Sequence, residues 1–319
     1  MTVLTKARPA RPRAAAPTGA AARRRRRATP YLLLAPGALV LLLVVGYPLV
    51  RLVLISFQDY GLRTLFTGTA EWTGLDNYAK VLGSDEIVPM LLRTAALCVA
   101  MAGGTLAIGT AVALLMRALG PRMRTAVTLV LITAWAVPNV AATMLWTWLF
   151  QPTYGVVNWM LTRLRVFGDF GQYDWTAHTW SSLVLVWLLV VWQSVPFVAL
   201  TLYAGLTQIP ADYYEAAALD GAGAWRRFRV VTVPFLRSIL LLVTVLSVVW
   251  DFNVFNQIWL LTHGGPDGAT STLVVWSFTR AFASQSYGQG AAIAVLATGL
   301  LMALTWYYVR RLVRTGEEL

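Results

Sequence analysis

Charged residues are scarce in this chain of 319 residues. Aspartate, glutamate, lysine and arginine together make up 13% of it, whereas soluble globular proteins contain about a quarter. Apolar residues make up 58%. This balance excludes an ordinary soluble domain and predicts an all-α integral membrane protein.

Cysteine, histidine and lysine are almost missing. The single cysteine, Cys98, cannot form an internal disulfide, and the two histidines, His178 and His263, lie too far apart in sequence to indicate a metal site. The lysines are Lys6 and Lys80, and no G-x-x-x-x-G-K-[ST] stretch is present, so the chain cannot hold nucleotide phosphates in a P-loop. No clustered nucleophile, acid and base occurs either. We therefore expect no catalytic residue, no metal and no cofactor bound by this chain.

Long apolar runs are abundant. Six segments that are nearly free of charge each reach the roughly 20 residues needed to cross the hydrocarbon core of a bilayer. They are Tyr31–Phe57, Met90–Met116, Thr125–Phe150, Ser181–Leu206, Phe235–Thr262 and Gly290–Val309. They predict six transmembrane helices.

Arginines fall near alternate ends of these segments. One set comprises Arg23–Arg27, then Arg117, Arg122 and Arg124, then Arg226, Arg227, Arg229 and Arg237, and finally Arg310, Arg311 and Arg314. Because basic residues near helix ends are retained on the cytoplasmic side, both termini are predicted to be cytoplasmic, in the plasma membrane. Residues 1–29, rich in Arg, Pro and Ala, are predicted to be a disordered basic tail that precedes a permease domain over residues 30–319. The arginines are interpreted as a topology signal or lipid contact, without a nucleic-acid partner.

A mixed, soluble-looking insert separates the fourth and fifth apolar segments. It reads EAAALDGAGAWRRFRVVTVP from Glu215 to Pro234. Pro210 suits the start of a short helix over about Ala211–Asp220, and Gly221 suits the turn that follows it. Helical spacing resumes at Trp225, and Pro234 is predicted to mark the entry to the next membrane helix.

The spacing of E-A-A, glycine and a final proline in this insert resembles the EAA loop of binding-protein-dependent ABC importer permeases. The stretch LTHGGPDGAT, Leu261–Thr270, is similar to a segment of the carbohydrate permeases of the maltose and glycerol-3-phosphate type. The resemblance covers about the last third of the chain, and the helix count extends it to nearly all. It implies a type I importer fold with a cytoplasmic coupling loop between helices four and five. The residues implied in coupling to an ATPase are Glu215, Ala216, Ala217, Asp220, Gly221 and Pro234.

The same resemblance implies function and partners. This chain would be the transmembrane subunit of an ATP-driven importer of a sugar or oligosaccharide. A second permease subunit, two ATP-binding cassette subunits and an external solute-binding protein would complete it, with ATP and Mg²⁺ bound on the partners. The sequence departs from the family pattern at Ser238, His263 and Asn256, and the last of these leaves the substrate subclass open.

Polar residues inside the apolar runs are the candidates for the substrate path. On a continuous fifth helix, Asn253, Asn256 and Gln257 share one face and Asp251 lies off it. Gln193 is a further candidate, as amides offer hydrogen-bond donors and acceptors to sugar hydroxyls. Hydrogen bonding between helices is the alternative role for these amides.

A second functional hypothesis remains open from the sequence alone. An ion-gradient-driven secondary transporter of a polar solute would use the intramembrane carboxylate of Asp251 as its ion site. That hypothesis leaves the insert at Glu215 unexplained.

Overall fold

A computed structural model describes residues 20–165 and 168–314. The chain divides into two compact units, Met1–Leu54 and Ile55–Leu319. Of the segment predicted to be disordered, residues 1–19 lie outside the described residues. The described residues begin with a helix, Ala20–Leu41.

The described part of the first unit is one helix with one widened turn, apolar from Pro30 onward. Helix α1, Ala20–Leu41, runs into a π-helical turn over Leu42–Gly46, and α2, Tyr47–Ser56, crosses the boundary into the second unit. The wide turn directly precedes Pro48, and the Tyr47 amide there donates to the Leu42 carbonyl. A proline ring crowds the carbonyl four residues before it, so the wider turn relieves that crowding.

The second unit contains the remaining helices and a short β-ribbon. In chain order they are β1 Gln58–Asp59, α3 Leu62–Thr67, β2 Glu71–Trp72, α4 Asp76–Leu82, α5 Ile87–Ala118, α6 Pro121–Ala136, α7 Asn139–Leu149, α8 Val156–Leu164, α9 Thr179–Leu206, α10 Ala211–Leu219, α11 Ala224–Arg227, α12 Val233–Phe252, α13 Asn256–Thr262, α14 Leu273–Phe278 and α15 Tyr287–Arg314. Two π-helical turns, Phe228–Thr232 and Thr279–Ala283, adjoin α12 and α14. β1 pairs antiparallel with β2, with Gln58 opposite Trp72.

The prediction of six membrane spans is confirmed, one of them as a bent pair. Within the described residues, five helices are long and apolar enough to cross a membrane: residues 30–56, 87–118, 179–206, 224–252 and 287–310. The sixth span is α6 with α7, which meet at an angle of 99°. The third apolar segment, Thr125–Phe150, therefore forms two helices. Pro138 lacks an amide hydrogen and restricts Val137 to an extended conformation, which ends α6.

The fifth span is also interrupted. A continuous helix over Phe235–Thr262 was expected, but α12 ends at Phe252 and α13 begins only at Asn256. The Asn253 side-chain amide donates to the Val249 carbonyl at 2.8 Å, and the Asn253 backbone amide donates to the Trp250 carbonyl at 3.1 Å. Asparagine side chains compete with the backbone in this way and favour helix ends. The shared face predicted for Asn253, Asn256 and Gln257 therefore does not exist.

Helices α5 and α9 pack closely at the centre of the second unit. A Cβ at Gly109 would lie 2.7 Å from the Val198 side chain, so only glycine permits this approach. The neighbouring Ala113 and Ala199 are fully buried. Small residues at helix contacts are typical of membrane bundles, where close backbone approach increases van der Waals contact.

A charged contact joins the start of α5 to α14 and the turn after it. The Glu86 carboxylate accepts hydrogen bonds from Arg280 Nη2 at 2.7 Å and from Trp276 Nε1 at 2.8 Å. The Arg280 hydrogen bond lowers the pKa of Glu86 below its usual value, and the Trp276 bond acts in the same direction. This contact therefore contributes stability at neutral pH and loses it as acidification passes the lowered pKa.

Candidate functional site

Two short helices connect the spans α9 and α12. Pro210 occupies the N-cap of α10, which ends at Leu219, and Asp212 lies in its first turn, where an acidic group favours the helix dipole. The predicted helix over about Ala211–Asp220 therefore agrees with the structure. We call residues 210–227, which comprise α10, the turn and α11, the coupling segment.

The turn in the coupling segment depends on glycine at one position. Gly221 has φ of +76°, a left-handed conformation that other residues seldom adopt. Its amide donates to the Ala218 carbonyl at 3.0 Å, and the Ala222 amide donates to the Ala217 carbonyl at 2.9 Å. This pair of bonds is a Schellman motif, which ends α10 and reverses the chain.

Most of the coupling segment is exposed. The side chains of Glu215 and Asp220 face solvent, and Leu219 is 90% exposed and Trp225 65% exposed. Exposed apolar groups beside a carboxylate indicate a surface that another protein covers. Of the residues predicted to couple, Glu215, Ala216, Asp220, Gly221 and Pro234 are exposed and Ala217 is half-buried.

Tyr214, which the sequence did not single out, attaches α10 to the bundle. The Arg117 guanidinium lies 3.9 Å from the centre of the Tyr214 ring, and the Tyr214 hydroxyl is 3.0 Å from Thr232 Oγ1. The contact with Arg117 reaches the last turn of α5, and the contact with Thr232 reaches the helix that becomes α12. These contacts tie α10 to two spans.

Pro234 lies in the first turn of α12, as predicted for the entry to the next membrane helix. The chain is also helical before it, from Ala224 onward, with the π-helical turn over Phe228–Thr232 directly before α12. The wider turn accommodates the proline ring, so the span continues on the N-terminal side of Pro234.

A chain of amides leads from the interior of the bundle to exposed Asn139, at the breaks in the spans. Gln257 Nε2 donates to Gln193 Oε1 at 3.0 Å, and Gln193 Nε2 donates to Asn139 Oδ1 at 3.2 Å. Gln193 is about half-way along α9, while Asn139 opens α7 and Gln257 is in the first turn of α13. The structure thus brings two of the predicted path residues, Gln193 and Gln257, together with Asn139, the polar residue beside Pro138.

The other polar residues of the fifth span lie apart from this chain of amides. Asn253 and Asn256 are exposed, whereas Asp251 is buried and its Oδ2 has no hydrogen-bond partner among the described residues. The three residues therefore occupy different environments, although they are neighbours in sequence.

Three aromatic rings from α6, α9 and α12 contact one another and lie close in sequence to the amides. The ring centres of Trp135 and Phe197 are 5.9 Å apart, and those of Phe197 and Trp250 are 5.1 Å apart. Phe197 is one turn from Gln193 on α9, whereas Trp135 lies near the end of α6, just before Asn139, and Trp250 near the end of α12, just before Asn253. We call Trp135, Asn139, Phe197, Trp250 and Asn253 the amide–aromatic surface. Nothing in the amino-acid sequence distinguishes these rings from the others among fourteen tryptophans and twelve phenylalanines.

Comparison with known proteins gives the family. Residues 103–315 match the family described as binding-protein-dependent transport system inner membrane component. The chain belongs to this family. The permease is 42% identical over 285 residues to the diacetylchitobiose uptake system permease protein DasB of Streptomyces coelicolor, a match that covers 89% of this chain and 87% of that protein.

Two further proteins support the assignment of this permease. The trehalose/maltose transport system permease protein MalF of Thermococcus litoralis is 32% identical over 241 residues, which cover 75% of this chain and 79% of that protein. The crystal structure of a bacterial ABC transporter involved in the import of alginate shares the fold, with a TM-score of 0.78 at 17% identity, covering 93% of this chain and 99% of that one. The resemblance to ABC importer permeases is thereby confirmed.

The permease is therefore a multi-pass membrane subunit of a binding-protein-dependent importer and is not an enzyme. ATP hydrolysis belongs to partner subunits in importers of this family. An ion-gradient-driven carrier is not needed to explain the chain.

We expect Gln193→Leu to lower the thermal stability of the permease. The change leaves Gln257 Nε2 and Asn139 Oδ1 without their bonded partner, and hydrogen bonds between membrane helices contribute about 0.6 kcal/mol each on average. Unfolding in detergent, followed by tryptophan fluorescence, measures the loss. Gln172→Leu, in an exposed loop, serves as the control and is expected to unfold like the unchanged protein. Equal stability of Gln193→Leu and the control would contradict a role for this chain of amides.

Proposed function

We propose that the permease imports a sugar or oligosaccharide along the amide–aromatic surface. The observation that carries this proposal is the exposure of Asn139 and Asn253 at the ends of helices whose rings contact one another. The amide groups that these side chains do not use in their bonds with Gln193 and Val249 would lack partners if they faced lipid, so they are expected to face a water-filled path or a second subunit.

The chemistry of this surface suits a carbohydrate. Side-chain amides donate to and accept from hydroxyl groups without introducing a charge, and ring faces provide flat apolar contact. Asn253 and Asn256 are the exposed amides after the break in the fifth span, and Gln193 and Gln257 lie beneath them in the chain of amides. Two relatives are named for the uptake of diacetylchitobiose and the transport of trehalose and maltose, which supports this substrate class.

The coupling segment is proposed to dock on an ATP-binding cassette subunit in the cytoplasm. Glu215 would contact that partner, Gly221 would permit the turn, and the Arg117–Tyr214–Thr232 contacts would pass the movement to α5 and α12. The complete importer would contain a second permease subunit, two ATPase subunits with ATP and Mg²⁺, and an external solute-binding protein. Both termini of this chain would then be cytoplasmic.

Uptake by the reconstituted importer tests the proposal. The complex is placed in vesicles with the binding protein outside, ATP inside and labelled disaccharides as substrates. We expect accumulation of a disaccharide that requires both ATP and the binding protein and that an uncoupler does not reduce. Accumulation that collapses with uncoupler at constant ATP would contradict the proposal that ATP drives uptake. Uptake of peptides or amino acids alone would contradict the proposal that the substrate is a sugar.

A further inference from the structure

Helix α8 presents an apolar face that no described residue covers. Val156, Trp159, Met160, Arg163 and Leu164 are all exposed, and at 100° per residue they occupy an arc of about 140°. Four of these five are apolar, and Trp159 is 60% and Leu164 62% exposed. The helix has nine residues and is too short to cross a membrane.

The opposite face of α8 is fixed to the end of a spanning helix. Buried Asn158 donates through Nδ2 to the Tyr173 carbonyl at 2.9 Å and accepts from Trp175 Nε1 at 2.7 Å. The Trp175 carbonyl in turn accepts hydrogen bonds from the hydroxyls of Ser181 at 2.7 Å and Ser182 at 3.2 Å. Both serines lie in the first turn of α9, so α8 is held beside that turn.

The length of α9 gives the depth of this turn in the bilayer. Its 28 residues extend about 42 Å, which matches the roughly 40–45 Å of a bilayer with its headgroups and exceeds the roughly 30 Å of hydrocarbon alone. The first turn of α9 therefore lies at headgroup depth. Trp180, in the same turn, is 79% exposed, as expected of a tryptophan in an interfacial aromatic belt.

The exposed face of α8 has the chemistry of a helix lying in that layer. Trp159 is an amphipathic ring of the kind enriched at membrane interfaces, and Met160 and Leu164 supply apolar area. The Arg163 guanidinium lies 5.7 Å from the centre of the Trp159 ring, so its stem covers apolar surface while its charge can reach lipid phosphate.

We propose that α8 is an interfacial membrane helix whose exposed face is covered by the lipid bilayer. Trp159, Met160 and Leu164 lie among the headgroups and the upper acyl chains, with Arg163 directed at phosphate. Through Asn158 and Trp175 this helix anchors the connection between α7 and α9, which carry Asn139 and Gln193. The proposal does not depend on which side of the membrane α8 faces, nor on the transported solute.

Nitroxide accessibility in vesicles tests this proposal. In a Cys98→Ser background, Met160→Cys and Gln172→Cys are labelled separately in the complete importer, reconstituted in phosphatidylcholine and phosphatidylglycerol. Gln172 is exposed in the same connection and serves as the control. We expect the ratio of collisions with oxygen to collisions with a water-soluble nickel chelate to be several-fold higher at Met160 than at Gln172.

Two results would overturn the interfacial assignment. Equal ratios at the two sites would place Met160 in water, and a Met160 label shielded from both reagents would mean that a second permease or the binding protein covers α8. Labelling the unchanged importer with a lipid that carries a photoreactive headgroup provides a test without substitution. Label on the peptide that contains residues 156–164 is expected, and its absence there while Trp180 is labelled would also overturn the proposal.

Discussion

Gly221→Val is expected to abolish uptake and to release the ATPase subunit while the permease still inserts in the membrane. A Cβ at this position would meet nothing within 4 Å, so the effect arises from the backbone alone. At φ of +76° a residue with a side chain costs about 1–2 kcal/mol, and a β-branched side chain fits this conformation least well. The turn is expected to open and to move Glu215 away from its partner.

Gly223→Ala is the matched control for this prediction. Gly223 lies in the same turn and also has open space around it, but its φ of −66° suits any residue. Gly221→Asn should retain part of the activity, because asparagine tolerates the left-handed conformation better than valine does. Affinity purification of the tagged permease in mild detergent, with the ATPase quantified, measures the outcome. Full recovery of the ATPase and of uptake with Gly221→Val would contradict the role of the turn.

Trp250→Ala is expected to raise the half-saturating sugar concentration for uptake by about tenfold, with assembly of the importer unchanged. The ring contacts Phe197 in the amide–aromatic surface and is 45% exposed. An aromatic contact contributes about 0.5–1.5 kcal/mol beyond its area, and 1.4 kcal/mol corresponds to a factor of ten in affinity. Initial rates of uptake in vesicles, at a series of sugar concentrations, provide the measurement.

The control for this prediction is Trp306→Ala. Trp306 is also an exposed tryptophan of a spanning helix, but it contacts Arg310 on α15 instead of the amide–aromatic surface. Its replacement is expected to leave the sugar dependence unchanged. If both variants shifted the dependence equally, or neither did, the ring of Trp250 would have no specific part in the path.

The sequence predicts the coupling segment well because its signals are local. Pro210 fixes the start of a helix and Gly221 fixes its end, each through backbone geometry that involves only a few neighbouring residues. The number of spans likewise follows from continuous apolar runs in the sequence. Each of the six runs overlaps one of the five long spans or the bent pair of helices. These features need no knowledge of which helices touch.

The candidate path could not be predicted in the same way. Gln193 bonds to Asn139, 54 residues earlier, and to Gln257, 64 residues later, so the amides meet only after the bundle has formed. The break after Phe252 depends on the side chain of Asn253 turning back to Val249, which a helical wheel does not consider. A helical wheel therefore places three amides on one face of a continuous helix, and this continuous helix does not form in the folded chain.

Cross-linking from Glu215 tests the central claim most directly. In a Cys98→Ser background, Glu215→Cys carries a short photoreactive group, and membranes that contain the complete importer are irradiated. Thr69→Cys, exposed in the connection between α3 and β2, is the control on the predicted opposite side. The account predicts a cross-link between Glu215→Cys and the ATP-binding cassette subunit, and none from Thr69→Cys. An importer that still transports sugar but yields no such cross-link from position 215 would contradict it.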